Sequence, residues 1–320
     1  MSGAASWSYS GGVHDPLPAT GRQFEISSGT ASAVITEFGA ALRAFTVDGV
    51  PHTETFDADR IPPSAAGGVL VPWPNRVADG RWALDGEPQQ LALTEPDRSN
   101  AIHGLLRHEP WAIVEHTDSA VVLQATISPR PGWPVPLLTS IGYALDGDGL
   151  TVTHTVENLG GRAVPFGIGV HPYPRAGNVE TDECTLRLAA STVLPVDADR
   201  LLPARPPRAL QGDEVDFRTG RRLAGVWLDT AFGGAAPAPD DPAGLVRHSL
   251  TGPDGHGVQL WADPVFKWVQ VYTAEDFPER GRAIAIEPMT CPPDALNSGT
   301  DLITLQPGEA WTAHWGLKRL

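Results

Sequence analysis

The sequence predicts an all-β protein, built as a large antiparallel β-sandwich. Short runs that alternate apolar and polar residues recur along the whole chain, as expected for half-buried strands. The 34 glycines and 31 prolines are spread between these runs as turn signals. No long segment has the 3.6-residue periodicity of a helix. Because large all-β domains often fold as one unit, we expect a single domain over residues 21–320, preceded by a flexible lead-in over residues 1–20.

The clearest strand pairs are predicted in five stretches along the chain: residues 31–38 with 42–50, then 81–93, 138–158, 257–273 and 303–317. Asp85-Gly86 is a strong two-residue hairpin signal in the second stretch, and residues 146–149 (DGDG) repeat it in the third. Proline-containing turns join the paired runs in the last two stretches. Residues 197–222 and 233–244 are rich in Pro and Asp, and we interpret them as surface loops.

Composition excludes several classes of protein. A net charge of −15 argues against a non-specific nucleic-acid binder. No apolar run approaches the roughly 18 residues that a membrane-spanning helix needs. The first 21 residues lack the basic and apolar regions of a signal peptide, so we expect a cytoplasmic protein with no membrane partner. The cysteines, Cys184 and Cys291, form no CxxC pair, which argues against a disulfide framework.

The common cofactor motifs are also absent from the sequence. It contains no GxGxxG, no phosphate-binding GxxxxGK[ST] and no GxSxG nucleophile turn. Residues 108–112 (HEPWA) fail the HExxH pattern at the last position, and their proline opposes a helix interior. We therefore expect no cofactor, and nothing in the spacing calls for a metal ion, although ligands from distant strands can converge in the fold.

Five segments combine polar residues with tight turns or strand ends: VPWPNRVADGRW (71–82), NAIHGLLR (100–107), GIGVHPY (167–173), WLDTAF (227–232) and AIAIEPMTCPPDALN (283–297). Prolines on both sides of Trp73 restrict the backbone before Asn75 and Arg76. Pro172 restricts His171 to extended geometry. We therefore expect rigid backbones beneath these polar side chains.

Glu287 lies in the most informative of these segments. In a strand, Ala283, Ala285 and Glu287 face one side, and two isoleucines face the other. The small alanines are expected to leave room for a ligand cleft beside the carboxylate. Pro288 removes a backbone donor, so we expect the strand ladder to end there.

In this order, the phrases PNRVADGRW, NAIHG, GIGVHPY, LDTAF and IEPMTCPPDALN resemble the aldose 1-epimerase (galactose mutarotase) family. The resemblance implies a large β-sandwich that converts one anomer of an aldose into the other. It further implies that Glu287 is the general base, that His171 is the general acid, and that His103 assists near the ring oxygen.

The same resemblance implies that Arg76 and Asp229 bind sugar hydroxyls, and that Asn75 and Tyr173 also contact the substrate. The expected partner is therefore a small aldose sugar, and no oligomeric state is implied. The sequence departs from the family at Pro174, because phenylalanine usually follows HPY there. That difference leaves the preferred sugar open.

The chemistry suits these residue types. Anomerisation removes a proton from the C1 hydroxyl and delivers one to the ring oxygen, so that the ring opens, rotates about C1–C2 and recloses. A carboxylate and an imidazolium can serve as base and acid, and we expect both pKa values to lie near neutrality. Because no electrons are transferred, no cofactor is required.

The sequence leaves other functions open. A hexose 6-phosphate epimerase would need a basic cluster, to which Arg107, Arg162 or Arg175 could contribute. A non-catalytic sugar-binding module on the same scaffold would not need an acid–base pair. A glycoside hydrolase could use Asp229 and Glu287 as its two carboxylates.

Each of these residues, taken alone, also has a purely structural interpretation. A strand-end glutamate is most often solvated, and a histidine in a strand most often packs. His154 alternates with valines and is expected to be such a packed residue. Trp73, Trp82 and Trp227 are expected in the core. The functional interpretation rests on all five segments occurring together and in order.

Overall fold

The computed structural model describes residues 16–147, 149–212 and 214–320. Its strands are β1 Gln23–Ser28, β2 Ala31–Thr36, β3 Leu42–Val47, β4 Val50–Pro51, β5 Val69–Leu70, β6 Arg76–Ala78, β7 Arg81–Leu84, β8 Glu87–Gln90, β9 Asn100–Ile102, β10 Ala112–His116, β11 Ala120–Ile127, β12 Leu137–Asp146 and β13 Gly149–Asn158. They continue with β14 Val164–Phe166, β15 Gly169–Val170, β16 Thr185–Arg187, β17 Thr192–Val193, β18 Arg208–Ala209, β19 Arg221–Arg222, β20 Asp229–Gly233, β21 Val246–Thr251, β22 Gly257–Ala262, β23 Trp268–Phe277, β24 Gly281–Met289, β25 Ile303–Leu305 and β26 Ala310–Arg319. One short helix, α1, spans Ala295–Ser298.

The strands form three larger sheets, and every pairing within them is antiparallel. A four-stranded sheet has the order β1-β2-β3-β4. A nine-stranded sheet has the order β10-β11-β12-β13-β26-β22-β21-β16-β19, and a seven-stranded sheet has the order β18-β17-β20-β23-β24-β15-β5. The ribbons β6–β9, β7–β8 and β14–β25 complete the fold. The all-β antiparallel prediction is confirmed.

The main core is formed by the apolar faces of these sheets. Burial alternates residue by residue along β13 of the nine-stranded sheet, where Val152 is fully buried. Val271, Ile284 and Ile286 of the seven-stranded sheet belong to the same apolar cluster as Val152. Strands alternate their side chains between two faces. The opposite face of the seven-stranded sheet is therefore available for polar side chains.

The predicted hairpins are confirmed where a short turn links neighbouring strands. β2 pairs with β3, β7 pairs with β8 around Asp85-Gly86, and β12 pairs with β13. Asp85 and Gly86 both have positive φ, as the predicted turn requires. The last two predicted stretches each hold two strands, but the strands belong to different sheets: β22 and β23 do not pair, and neither do β25 and β26. Alternation marks a strand without specifying its partner.

The predicted loops are mainly irregular. Among the described residues of 197–222, the only strands are the two-residue strands β18 and β19, which lie at sheet edges. Trp73 and Trp82 are buried beside Trp133, as expected. The core prediction for Trp227 is wrong, because that side chain is 53% exposed and the guanidinium of Arg282 covers its ring at 4.4 Å.

Of the predicted lead-in, residues 1–15 lie outside the described part of the chain. Thr20 is already part of the folded body, because it is buried and its hydroxyl donates to the carbonyl of Ala58 at 2.8 Å. The division into a lead-in and one domain otherwise stays a prediction. Within the described residues, no helix has the length and apolarity that crossing a membrane requires.

Candidate active site

Residues from four of the five polar segments line one cavity of about 360 Å³. Its walls are Ser64, Ala65, Asn75, Arg76, Glu95, Arg98, Ile102, His103, Arg107, His171, Asp229 and Tyr272. Glu287, from the fifth segment, lies next to His171 and is buried. The structure therefore brings the predicted site residues together, and two of them, Glu287 and Tyr173, contact His171 without lining the cavity.

Three neighbouring strands supply the polar floor of the site. In the β23–β24 ladder Gln270 lies opposite Glu287, and in the β20–β23 ladder Asp229 lies opposite Tyr272. Opposed residues project from the same face of a sheet. Gln270 Nε2 donates to Asp229 Oδ1 at 2.5 Å. Strand register alone thus gathers an amide and two carboxyl groups.

Glu287 lies inside β24 and not at its end, so the prediction that Pro288 stops the ladder is wrong. Pro288 lies opposite Val269, and Met289 pairs with both Trp268 and Gly169. A proline removes only its own N–H donor, and the residues on either side of it can continue the pairing. The carboxyl group is consequently held by strands on both sides.

Aromatic rings fill the space that Ala283 and Ala285 leave, and no ligand cleft opens there. Both alanines pack in a small apolar cluster with Tyr173 and Phe277. The Tyr173 ring stacks on the His171 imidazole, with centroids 5.4 Å apart and planes at 19°. Tyr173 supports His171 from behind without lining the cavity, and its predicted substrate contact stays a prediction.

His171 directly follows β15, and backbone hydrogen bonds fix its position. Its N–H donates to the carbonyl of Gly68 at 3.1 Å, and its carbonyl accepts from the N–H of Gly67 at 2.8 Å. Its Nε2 lies 3.4 Å from Glu287 Oε1. Proline, backbone and the Tyr173 ring together aim the imidazole at the carboxyl group.

His103 occupies the turn after β9, with a positive φ of 65°. Its N–H donates to the carbonyl of Asn75 at 2.9 Å, which ties it to the start of β6. The chain turns tightly at Gly104, where an added Cβ would lie 2.1 Å from the Val71 carbonyl oxygen, so only glycine fits. The His103 ring meets the His171 ring edge-on at a centroid distance of 5.3 Å.

Arg76 is nearly buried and is held by two acidic groups. Its Nε and Nη2 donate to the two carboxylate oxygens of Glu95 at 2.9–3.2 Å, and its Nη2 lies 3.5 Å from Asp229 Oδ2. Asn75 Oδ1 accepts from the backbone N–H of Arg76 at 2.9 Å. A two-pronged pair of this kind orients the guanidinium toward the cavity.

Burial shifts the ionisation of the central groups in opposite directions. It raises the pKa of Glu287 well above its usual value, an effect that the charge of Asp229 strengthens and that of Arg76 opposes. It lowers the pKa of His171 to about 3 and the pKa of His103 well below its usual value. The expected near-neutral pKa for His171 is therefore not observed, because the pocket desolvates the imidazole.

Several wall or floor residues were not predicted from the sequence, among them Glu95, Tyr272 and Gln270. Glu95, which orients Arg76, precedes an ordinary Pro-Asp turn and carries no distinguishing signal. Tyr272 is one aromatic among several on β23. Gln270 did carry a signal in the sequence, because it is a polar residue in the otherwise apolar run Trp268–Val271. In the structure its side chain is only 3% exposed.

The three arginines proposed for a phosphate site do not converge. Arg107 lines the cavity and has no hydrogen bond or ion pair with the described residues. Arg162 instead lies 3.8 Å from Asp85, and Arg175 binds Glu54 at 3.2 Å, both outside the cavity wall. A single cation from the predicted cluster remains at the site.

A larger cavity of about 530 Å³ lies elsewhere, against the loop of residues 233–244. Its wall includes Arg218 and Arg247, which are paired with Asp216 and Asp241. It contains no buried carboxyl group beside an imidazole among the residues that the structure describes. Size alone does not make it the better candidate for acid–base chemistry.

Known proteins resemble this chain over most of its length. The sequence profile described as aldose 1-epimerase matches residues 22–318. The chain is 34% identical to the uncharacterized protein YihR of Escherichia coli (strain K12) over 294 residues, which cover 91% of each chain. It is 29% identical to the galactose mutarotase of Homo sapiens over 160 residues, 48% of this chain and 45% of that one.

Solved structures show the same fold. A galactose mutarotase-like protein from Clostridium acetobutylicum superposes with a TM-score of 0.82 at 19% identity, covering 92% of this chain and 94% of that one. The GalM/aldose epimerase homologue from C. elegans superposes with a TM-score of 0.80 at 17% identity, covering 93% and 98%. Profile, relatives and fold agree: this chain belongs to the aldose 1-epimerase family.

Proposed function

We propose that the protein is an aldose 1-epimerase that interconverts the α and β anomers of free hexoses. The observation that carries this proposal is the buried pair of His171 and Glu287, whose Nε2 and Oε1 lie 3.4 Å apart. The two sugar atoms that exchange protons, O1 and the ring oxygen, are bonded to the same carbon. A catalyst for this reaction therefore needs its acid and its base close together.

In the proposed reaction the Glu287 carboxylate removes the proton from O1 while the His171 imidazolium protonates the ring oxygen. The bond between C1 and the ring oxygen breaks, its electron pair stays on that oxygen, and C1 becomes an aldehyde carbon. After rotation about C1–C2, the two groups reverse their roles and the ring closes on the other face. No proton is gained or lost overall.

The pair holds one proton throughout this cycle. With the closed ring the proton is on His171, and with the open chain it is on Glu287. Burial raises the pKa of Glu287 and lowers the pKa of His171, so it favours the uncharged arrangement that accompanies the open chain. The charge of Arg76 favours the carboxylate. That charge reduces the preference for the uncharged arrangement without reversing it, because the pKa of Glu287 stays well above its usual value.

The remaining groups are assigned to binding. Arg76, Asp229 and Asn75 are on the cavity wall and offer donors and acceptors for sugar hydroxyls. Gln270 Oε1 is buried and has no hydrogen-bond partner among the described residues, so it is free to accept from a hydroxyl. His103 is buried beside His171 and is assigned to assist at the ring oxygen.

Polarimetry tests the proposal. Freshly dissolved α-D-glucose and α-D-galactose change their optical rotation slowly without a catalyst, and the protein should accelerate this change to the same final rotation. An unchanged time course with every aldose tried would favour a non-catalytic sugar-binding module. Release of reducing ends from a glycoside would favour the hydrolase.

One observation keeps a hexose 6-phosphate epimerase as the second candidate. Arg107 is a cavity-lining cation that forms no direct ion pair with the described residues, although the charge of Glu95 acts on it, so it could meet a phosphate. Against this candidate, Arg162 and Arg175 are engaged elsewhere, and Arg76 is held by Glu95. The balance favours an uncharged hexose.

A further inference from the structure

His103, His171 and Glu287, the central trio of the site, have nitrogen and oxygen atoms that the proposed proton transfer does not use. His103, His171 and Glu287 each offer a ligand atom, and these three atoms lie within 4.8 Å of one another. All three side chains are at least nine-tenths buried. Nδ1 of His103, Nδ1 of His171 and Oε2 of Glu287 are buried without a hydrogen-bond partner among the described residues. Buried polar atoms without a partner call for an explanation, such as a bound ion or a catalytic role.

This ligand set matches the chemistry of a first-row transition metal. Two imidazoles and one carboxylate, with a fourth position open to a small molecule, are a known donor set for Zn²⁺. Tetrahedral ligands at Zn–N and Zn–O distances of roughly 2.0–2.1 Å lie about 3.3 Å apart. His171 Nε2 and Glu287 Oε1 are already 3.4 Å apart. The third ligand atom lies within 4.8 Å of the other two and has to move closer to complete the set.

The surrounding charges permit a cation. Arg76 acts on Glu287, and its charge is offset by Glu95 at 2.9 Å and Asp229 at 3.5 Å. Arg107 on the cavity wall acts on both imidazoles and opposes a cation there, and the negative charge of the Glu287 carboxylate offsets it. Mg²⁺ prefers oxygen ligands and keeps its waters, so this set should discriminate against it.

We propose that His103, His171 and Glu287 form a latent site for Zn²⁺ and similar nitrogen-preferring divalent cations, and that metal binding there inhibits the enzyme. The inhibition half of this proposal rests on the proposed function, because it requires the trio to be the proton-transfer machinery. The metal takes the lone pairs that would accept protons. It acts as a competitor of the sugar and not as a cofactor.

The test is isothermal titration of the untagged full-length protein, treated with EDTA and dialysed, with ZnCl₂ and separately with MgCl₂. We expect one Zn²⁺ site that is saturable and no Mg²⁺ binding. His103→Asn should weaken Zn²⁺ binding at least about tenfold, a lower bound set by the effect of losing even an outer-shell partner. His256→Asn, which changes an exposed histidine, is the matched control and should bind as the wild type does. Glu287→Gln provides a second variant if His103→Asn fails to fold.

Polarimetry supplies the second readout. The EDTA-treated enzyme should keep its full rate, and added Zn²⁺ should abolish turnover over the same concentration range in which it binds. Zn²⁺ binding that is unchanged in both His103→Asn and Glu287→Gln would overturn the site. Loss of activity in EDTA with recovery in Zn²⁺ would overturn the inhibitory role. Zn²⁺ binding at the trio without turnover of any sugar would uphold the site and overturn the proposed function.

Discussion

At the scale of single residues, the proposed catalysis depends on two side chains whose pKa values are set by burial. His171 and Glu287 are ordinary titratable residues, but burial raises the pKa of the carboxyl and lowers that of the imidazole. Placed 3.4 Å apart, they can exchange one proton through a sugar. The roles proposed for the two residues come from the family resemblance of their motifs, whereas the direction of each pKa shift follows only from burial in the folded chain.

Glu287→Gln should lose most turnover while sugar binding survives. The amide keeps the size and polarity of the side chain but cannot accept the O1 proton, and a positioned general base contributes roughly 10²–10⁴ in rate. The measurement is the polarimetric rate with sugar affinity by titration. Glu115→Gln, on the exposed strand β10, is the control. Retention of more than about a tenth of the rate would show that Glu287 is not the base.

His171→Asn should reduce the rate more than His103→Asn does. His171 contacts the carboxyl group, while His103 touches it only through the His171 ring. Rates of both variants, with His116→Asn on β10 as the matched control, give the ranking. A larger loss in His103→Asn would reverse the assigned roles of acid and helper.

At the scale of strands and turns, the sequence was informative wherever the cause was local. The turn at Asp85-Gly86 and the alternation of β13 were both predicted, because each depends on neighbouring residues. The pairing of β23 with β24, which places Gln270 beside Glu287, joins strands whose register no local pattern encodes. The Pro288 prediction failed for a related reason: a ladder held on both sides of β24 tolerates one missing donor.

Folding stability should fall as the pH drops, because histidines are buried neutral between paired strands. His154 on β13 accepts from Trp315 Nε1 on β26 at 2.9 Å, and burial lowers its pKa to about 3. Below pH 6.5 the unfolded chain takes up a proton that the folded chain refuses, so stability is lost as the pH falls through this window. His154 should account for roughly 1 kcal/mol of the loss in unfolding free energy between pH 6.5 and pH 5.5.

Urea unfolding of the wild type and His154→Gln at these two pH values measures that share. Glutamine can still accept from Trp315 but does not titrate, so the variant should lose less stability on acidification. His256→Gln changes an exposed histidine and should behave as the wild type. An equal loss in wild type and His154→Gln would mean that His154 does not carry this pH dependence.

At the scale of the whole molecule, one face of the seven-stranded sheet packs in the core and the other carries the polar residues of the site. Ile284 and Ile286 lie on the face of β24 that packs in the main core, and Glu287 lies on the opposite face, beside the cavity. The net charge of −15 also acts at this scale, because it disfavours the approach of anions. Both features fit a small uncharged substrate.

Free glucose should therefore be turned over with a higher kcat/KM than glucose 6-phosphate. A lone exposed ion pair contributes only roughly 0–1 kcal/mol, and Arg107 is the one arginine of the predicted cluster that lines the cavity. Paired assays at low and raised salt, with Arg107→Gln against Arg162→Gln as control, test this. A phosphate preference that fades with salt and with Arg107→Gln would favour the second candidate instead.

Anomer exchange itself can be followed by NMR exchange spectroscopy on an aldose already at anomeric equilibrium. Because both anomers are present from the start, only an accelerated exchange between their C1 proton signals reports the reaction, without coupling to any other enzyme. The proposed mechanism predicts that the wild-type protein produces exchange cross-peaks between the α and β signals, that Glu287→Gln does not, and that no new sugar accumulates. Absence of exchange with glucose, galactose and their 6-phosphates, or the growth of signals from a different sugar, would contradict it.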